Sequence, residues 1–321
     1  MKLKATATCT SAAPTIRNSP NTAQNSSTAD ANKHCLDKYK YAFIPHLPFY
    51  LVKDIILQMH NENSYPSLAS AAPLRNNATT TPVRQSVLPL RVSDLVYQAA
   101  GKLLIDHISF EIAAGSITII LGPNGAGKSL LLRLCQGLLQ PHSGMISWAG
   151  VKPSAARSHL AMVFQRPVLL RRTAAANIAF ALSVKGVRRH QRKAQVSEAL
   201  ARTELTHLAK RPARVLSGGE QQRLAIARAW ALKPQVMFLD EPTANLDPAA
   251  TRSVEALVRA VHADGATVVM TTHDLGQARR LAHKVLFLHR GQLLEHTPAP
   301  EFFARPRNDE AAAFLQGELL L

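Results

Sequence analysis

Ile119-Ile120-Leu121-Gly122-Pro123-Asn124-Gly125-Ala126-Gly127-Lys128-Ser129-Leu130-Leu131-Leu132 takes an apolar strand pattern into a glycine-rich turn, and the turn into an apolar helical start. The spacing G-x-x-x-x-G-K-S between strand and helix is that of a loop that wraps nucleotide phosphates. Its glycines let backbone N–H groups close on the anion, Lys128 reaches the β and γ oxygens, and the Ser129 hydroxyl is a ligand for Mg²⁺. Gly122 to Ser129 is therefore the expected ATP-phosphate site, and the strand–turn–helix order places it in an α/β domain.

Outward from this loop, the apolar run Val236 to Leu239 ends in Asp240-Glu241, two carboxylates at the C-terminal end of a buried strand, where α/β sheets bind ligands. Phosphoryl transfer depends on positioning and charge stabilisation, which assigns Asp240 to Mg²⁺ and Glu241 to the water attacking the γ-phosphate. An acidic pair at a strand end also begins turns, and Pro242 suits one. Gln165, after a strand at Met162 to Phe164, offers a neutral amide to both the Mg²⁺ shell and that water. His273, after the run Ala266 to Thr272, can hydrogen-bond the γ-phosphate. A lone histidine there is usually structural; its place in this series makes it a candidate. Tyr97, in Leu95-Val96-Tyr97, either stacks its ring on adenine or is a half-buried strand aromatic.

Leu216 to Arg223 reads LSGGEQQR. Ser217, Gly218 and Gly219 present a hydroxyl and open backbone just before a helix beginning near Glu220, a second anion-binding turn that also suits Ser217 as a plain N-cap. One chain seldom needs two such turns for one nucleotide, so a partner is implied.

The ordered series Tyr97, GPNGAGKS, Gln165, LSGGEQQR, VMFLDEP, Ala244-Asn245-Leu246-Asp247 and His273 resembles the ATP-binding subunits of ABC transporters, from about Val87 to the C-terminus. That resemblance implies a P-loop NTPase fold: a RecA-like core with a parallel sheet, an inserted helical subdomain at about 170–231, and an N-terminal antiparallel β portion. It implies a head-to-tail homodimer in which ATP lies between one P-loop and Ser217, Gly218, Gly219 and Glu220 of the other copy. Asp247 would lie in the loop crossing the dimer interface, and Gln165 would begin the loop that senses a membrane permease. A separate solute-binding protein and a peripheral position on the cytoplasmic face of the inner (plasma) membrane follow from the same likeness. Every motif residue for hydrolysis matches, Lys128, Gln165, Glu241 and His273 included, so an active ATPase is expected. The segments Phe164 to Arg172, Met270 to Arg280 and Phe314 to Leu320 are similar to tungstate importer ATPases, a group related to phosphate importer subunits. The chain ends soon after a strand at Val285 to His289, which leaves no room for an appended regulatory barrel.

The rest of the chain agrees with a globular α/β protein of ordinary hydrophobic content, 46%. Residues 1–85 are rich in Ser, Thr, Asn, Ala and Pro without sustained periodicity and read as a poorly ordered extension, apart from a short amphipathic helix at Tyr41 to His60. Residues 86–321 form the ATPase domain, with strands at Ser116 to Leu121, Met162 to Phe164, Val236 to Leu239, Ala266 to Thr271 and Val285 to Leu288. The helix-rich stretch Thr173 to Ala231 falls between the second and third. No window reaches the roughly 18 apolar residues of a membrane span. Cys9, Cys35 and Cys135 have neither paired nor metal-ligand spacing and read as free thiols of a reducing cytosol. The net charge of +17 attracts phosphate-rich partners or an anionic membrane face. Only 5% of residues are aromatic, and no base-reading motif is present, which argues against a non-transport ATPase acting on nucleic acid and leaves, as the alternative to an importer subunit, a non-transport ATPase that regulates a membrane complex. The run Lys185 to Lys193 reads as a solvated helix face.

Overall fold

The computed structural model describes residues 86–149, 151 and 153–318. The readings for 1–85, including the Tyr41 to His60 helix, fall outside the described residues. In chain order the elements are β1 (Leu90–Ala99), β2 (Lys102–Ile112), β3 (Ile117–Leu121), α1 (Lys128–Cys135), β4 (Ser143–Trp148), β5 (Leu160–Val163), α2 (Ala174–Val184), α3 (Arg189–Arg202), α4 (Gly218–Ala231), β6 (Val236–Asp240), α5 (Pro248–Ala263), β7 (Thr267–Thr271), α6 (Leu275–Leu281), β8 (Lys284–His289), β9 (Gln292–Pro298), α7 (Ala299–Ala304) and α8 (Asp309–Gln316).

The central sheet has six strands in the order β5-β6-β7-β3-β8-β9, parallel except for the antiparallel edge strand β9. Its middle strands, such as Ile117–Leu121 and Val236–Asp240, are buried along their whole length, because helices cover one face and a second sheet the other. Alternate residues feed two cores. Ile119, Leu121, Met237, Leu239, Val268 and Met270 pack with residues of α4 to α8, and Ile120, Phe238, Val269, Leu286 and Leu288 pack with α1 and a three-stranded antiparallel sheet, β2-β1-β4. Each predicted strand is present with ends moved by a residue or two. The largest change is at β5, which spans Leu160–Val163 and stops short of Phe164. The antiparallel strands and β9 were not read individually from the residues; the resemblance alone supplied the antiparallel portion.

Between β5 and β6 the helical insertion carries a core of its own, including Ile178, Leu182, Leu200, Leu205, Leu208 and Leu224. Helix α4 belongs to both this core and that of the sheet domain, and a polar joint ties α3 to the sheet domain as well. Trp230 Nε1 donates to Asp264 Oδ2 at 2.9 Å, and Arg202 of α3 pairs with the same oxygen at 2.9 Å while its guanidinium lies 4.9 Å from the centroid of the indole ring.

Candidate nucleotide site

Strand register brings the functional segments to one edge of the sheet. Ile120 pairs with Thr271, and Thr271 with Asp240, so the C-terminal ends of β3, β7 and β6 stand level. Gly122 leaves β3 with φ 148°, and a Cβ there would lie 2.0 Å from the Leu288 carbonyl oxygen, so only glycine lets the loop pass β8. Gly127, at φ 99°, is the N-cap of α1 and contributes no side-chain cap, which leaves the first N–H groups of the helix facing the loop.

Inside this edge lies a cavity of about 800 Å³, lined among others by Asn124, Gly125, Gly127, Lys128, Ser129, Gln165, Glu241 and His273. The Lys128 ammonium, 5% exposed, donates to the carbonyls of Gly122 (2.9 Å) and Pro123 (3.0 Å) and stands 3.7 Å from Glu241 Oε1. Burial pushes that ammonium below its ordinary pKa, while Glu241 and Asp240 push back. Asp240, buried at the strand end, accepts from the Ser129 hydroxyl at 2.6 Å and from Thr271 Oγ1 at 2.9 Å on one oxygen, and Arg133 lies 3.9 Å from the other.

Glu241 is the hub of the arrangement. Its Oε2 is 3.4 Å from Gln165 Nε2 and 3.3 Å from His273 Nδ1, and its backbone N–H donates to Thr271 Oγ1 at 2.9 Å. Its φ of 42° is unusual for a residue with a side chain, a local strain that the Thr271 bond and the burial of β6 hold in place. Carboxylate, amide and imidazole thus meet above the phosphate loop. The chemistry such a set supports is orientation and polarisation of a water at a terminal phosphate.

The model matching residues 105–244 of this chain is that of the ABC transporter family. The tungstate uptake system ATP-binding protein TupC of Peptoclostridium acidaminophilum is 36% identical over 209 residues, 65% of this chain and 98% of that protein. The chain belongs to the ATP-binding subunits of ABC transporters. It is accordingly an ATP-binding and ATP-hydrolysing protein, with the P-loop fold that the resemblance implied. A phosphate import ATP-binding protein, PstB 2 of Natronomonas pharaonis, is 35% identical over 248 residues, 72% of this chain and 87% of that one. Further relatives are import subunits for iron(III), methionine and sulfate or thiosulfate. Among solved structures, cbiO1 of Clostridium perfringens, part of the ABC transporter complex cbiONQ, superposes with a TM-score of 0.63 at 29% identity, covering 68% of this chain and 91% of that one.

Within this ABC ATPase, not every expected site residue lines the cavity. Tyr97 is half-buried in β1 opposite Ile105, whose Cδ1 is 3.0 Å from the point a Cβ on Gly127 would occupy. The ring thus belongs to the strand pair beside the phosphate loop, while Leu104 of β2 is the residue of that pair that lines the cavity. Ser217, Gly218, Gly219 and Glu220 lie outside the lining, with Gly218 and Gly219 against Leu246 and Ala250. There Ser217 caps α4 in a reciprocal box: Glu220 N–H donates to Ser217 Oγ at 3.3 Å, and Ser217 N–H donates to Glu220 Oε2 at 2.7 Å. These contacts hold the Glu220 carboxyl below its ordinary pKa. Asp247 caps α5 through Ala249 N (2.8 Å) and Ala250 N (2.9 Å), which lowers its pKa likewise.

Sequence reasoning missed Thr271 and Arg133, which hold Asp240, and Asn177, which holds the loop after Gln165. Asn177 is fully buried and takes up Leu170 N–H at 2.9 Å while donating to the carbonyls of Leu170, Arg172 and Thr173. A buried asparagine in an apolar helix was the available signal. Also missed was a chain of contacts leading away from the cavity: Thr243 exchanges hydrogen bonds with Gln277, Gln277 donates to buried Glu255, and Arg280 grips Glu255 by two bonds of 3.0 and 2.6 Å. Burial works to raise the Glu255 pKa, but the Arg280 bonds prevail and it lies below its ordinary value.

Proposed function

We propose that this chain is the motor subunit of an importer for a tetrahedral oxyanion, tungstate foremost and molybdate or phosphate next. It works as a head-to-tail homodimer beneath a separate permease that receives the anion from a separate solute-binding protein. The carrying observation is the meeting of Lys128, Ser129, Glu241, Gln165 and His273 at one cavity, with Asp240 bonded to Ser129 behind it, an ATPase centre complete on the catalytic side. The oxyanion reading draws support from the tungstate and phosphate relatives, but also competes with the methionine and iron relatives, because a solute is selected by chains other than the ATPase. No helix among the described residues is long and apolar enough to cross a membrane, in keeping with a peripheral place on the cytoplasmic face.

Lys128 neutralises β and γ oxygens, Glu241 holds and polarises the attacking water, and His273 and Gln165 both hold the Glu241 carboxylate at its Oε2. Mg²⁺ fits the donors present: Ser129 Oγ and Asp240 are hard oxygens in contact, Gln165 adds an amide oxygen, and among the described residues no cluster of three or more His, Cys, Asp or Glu would form an all-protein cage. An ion held with substrate phosphates would supply charge neutralisation on the β and γ oxygens. Tyr97, beside the phosphate loop, would stack on adenine. Ser217, Gly218 and Gly219, outside the lining of their own cavity, would serve the partner's ATP, with Asp247 at the crossing. Reconstitution with permease and binding protein tests the whole: tungstate should stimulate hydrolysis. Stimulation by methionine or iron with none by tungstate, molybdate or phosphate would overturn the solute assignment and leave the ATPase standing.

A further inference from the structure

The positive charge of the chain is unevenly placed. Residues 170–231, the helical insertion, hold 13 Lys and Arg against 3 Asp and Glu, whereas the remainder of 86–321 holds 16 against 14. The ATPase core is close to neutral, and the insertion carries a surplus of 10 out of the chain's +17.

The densest part is the turn from α2 into α3, Lys185-Gly-Val-Arg188-Arg189-His190-Gln191-Arg192-Lys193. Arg188, Arg189, His190 and Lys193 are exposed. Arg189 and Lys193 stand one turn apart on the stripe that continues into the buried Val196 and Leu200, and they are exposed because they precede the part of α3 that packs into the core of the insertion. Beside them Val184, at the end of α2, is 49% exposed. The first turn of α3 has no acidic residue, and its N-cap, Arg188, makes no side-chain cap. Four cations, Arg188, Arg189, Arg192 and Lys193, therefore crowd the helix end whose dipole repels them. Among the described residues no ion pair involves Arg188, Arg189 or Lys193, and Arg192 donates only to the Val187 carbonyl, at 2.7 Å. Among the described residues nothing offsets this local conflict, which is the mark of a feature kept for an external partner.

We propose that this face of the insertion docks on anionic phospholipid headgroups of a bilayer, independently of which solute is carried. A basic, exposed turn and helix start flanked by an exposed valine suit a surface that rests on charged headgroups: the cations act as point charges and the apolar residue enters the interface. An acidic protein segment would instead need paired carboxylates opposite defined guanidinium forks.

The test is sedimentation of the purified full chain with vesicles of phosphatidylcholine alone and of phosphatidylcholine with phosphatidylglycerol. Wild type should bind only the anionic vesicles, and less as salt rises. The triple change Arg188→Gln, Arg189→Gln, Lys193→Gln should weaken binding roughly 100-fold, about a factor of five per cation. Its basal hydrolysis without lipid should stay at the wild-type level, showing an intact fold. Arg188→Lys with Arg189→Lys should bind as wild type. Three results would each overturn the proposal: no preference of wild type for anionic vesicles, undiminished binding by the Gln variant, which would move the contact away from this turn, or a Lys variant as defective as the Gln variant, which would show that charge on a headgroup surface is not what these residues read.

Discussion

Two glycine-rich, serine-bearing turns in this chain each open a helix, and they are finished differently. At the phosphate loop, α1 begins at left-handed Gly127 with no side-chain cap, and the cation Lys128 follows at once. At the signature turn, α4 begins at Ser217, whose hydroxyl and N–H are both engaged with Glu220, so a carboxylate already occupies the helix start. The first turn is a whole anion site. The second has its own negative charge in residence and offers a phosphate only the remaining N–H groups of Gly218 and Gly219 and the Ser217 hydroxyl. A turn of that kind binds weakly alone and contributes when the rest of the site is supplied from across an interface.

The sharpest way to stress the contrast is to remove chemistry while keeping both turns. Glu241→Gln should lower single-turnover hydrolysis by about 10³-fold, the loss of a positioned base, and leave ATP affinity intact; hydrolysis near the wild-type rate would remove Glu241 from the role of base. Next in size, Lys128→Ala should weaken ATP binding by the monomer by about 100-fold, as expected for loss of charge-assisted bonds. Ser217→Ala should leave that monomer affinity unchanged and lower hydrolysis at high protein concentration by about 10-fold, one charge-assisted bond's worth. Equal loss of monomer binding in both variants would erase the distinction between the turns. The smallest effect concerns the resident carboxylate: Glu220→Gln should cost about 1 kcal/mol, or roughly 2–4 °C in the melting midpoint. Since the folded-state pKa of Glu220 is depressed, its stabilisation is complete above the unfolded value, about 4.3, and is lost as pH falls through the lower folded value. The gap between wild type and variant in a melting series should therefore narrow on acidification below pH ~4.3.

Much of this site could be read from the chain because its chemistry is compressed into unbroken segments. Strand, turn and helix around Lys128 lie within fourteen residues, Ile119 to Leu132, and Asp240-Glu241 follow directly on an apolar strand. What could not be read depends on register between distant strands. Thr271 reaches Asp240 only because β7 lies beside β6 at that level, and Leu104 meets the cavity only because β2 folds over Gly127. The edge strand β9, Gln-Leu-Leu-Glu-His-Thr-Pro, mixes polar and apolar residues too irregularly to announce itself. Tyr97 was legible as an aromatic in a strand, while its pairing with Ile105, beside Gly127, was not.

The joint of Arg202, Trp230 and Asp264 gives the molecule a mechanical property. Any tilt of α3 against the sheet domain must stretch a 2.9 Å ion pair and slide a guanidinium off an indole face, so the joint behaves as a return spring under the insertion. Both charged partners are substantially open to water, 39% and 44%, which leaves the spring partly at the mercy of dissolved ions. The stack on Trp230 resists salt better than the ion pair does. Raising ionic strength should therefore loosen α3 without releasing the insertion, which α4 also joins to the core of the sheet domain.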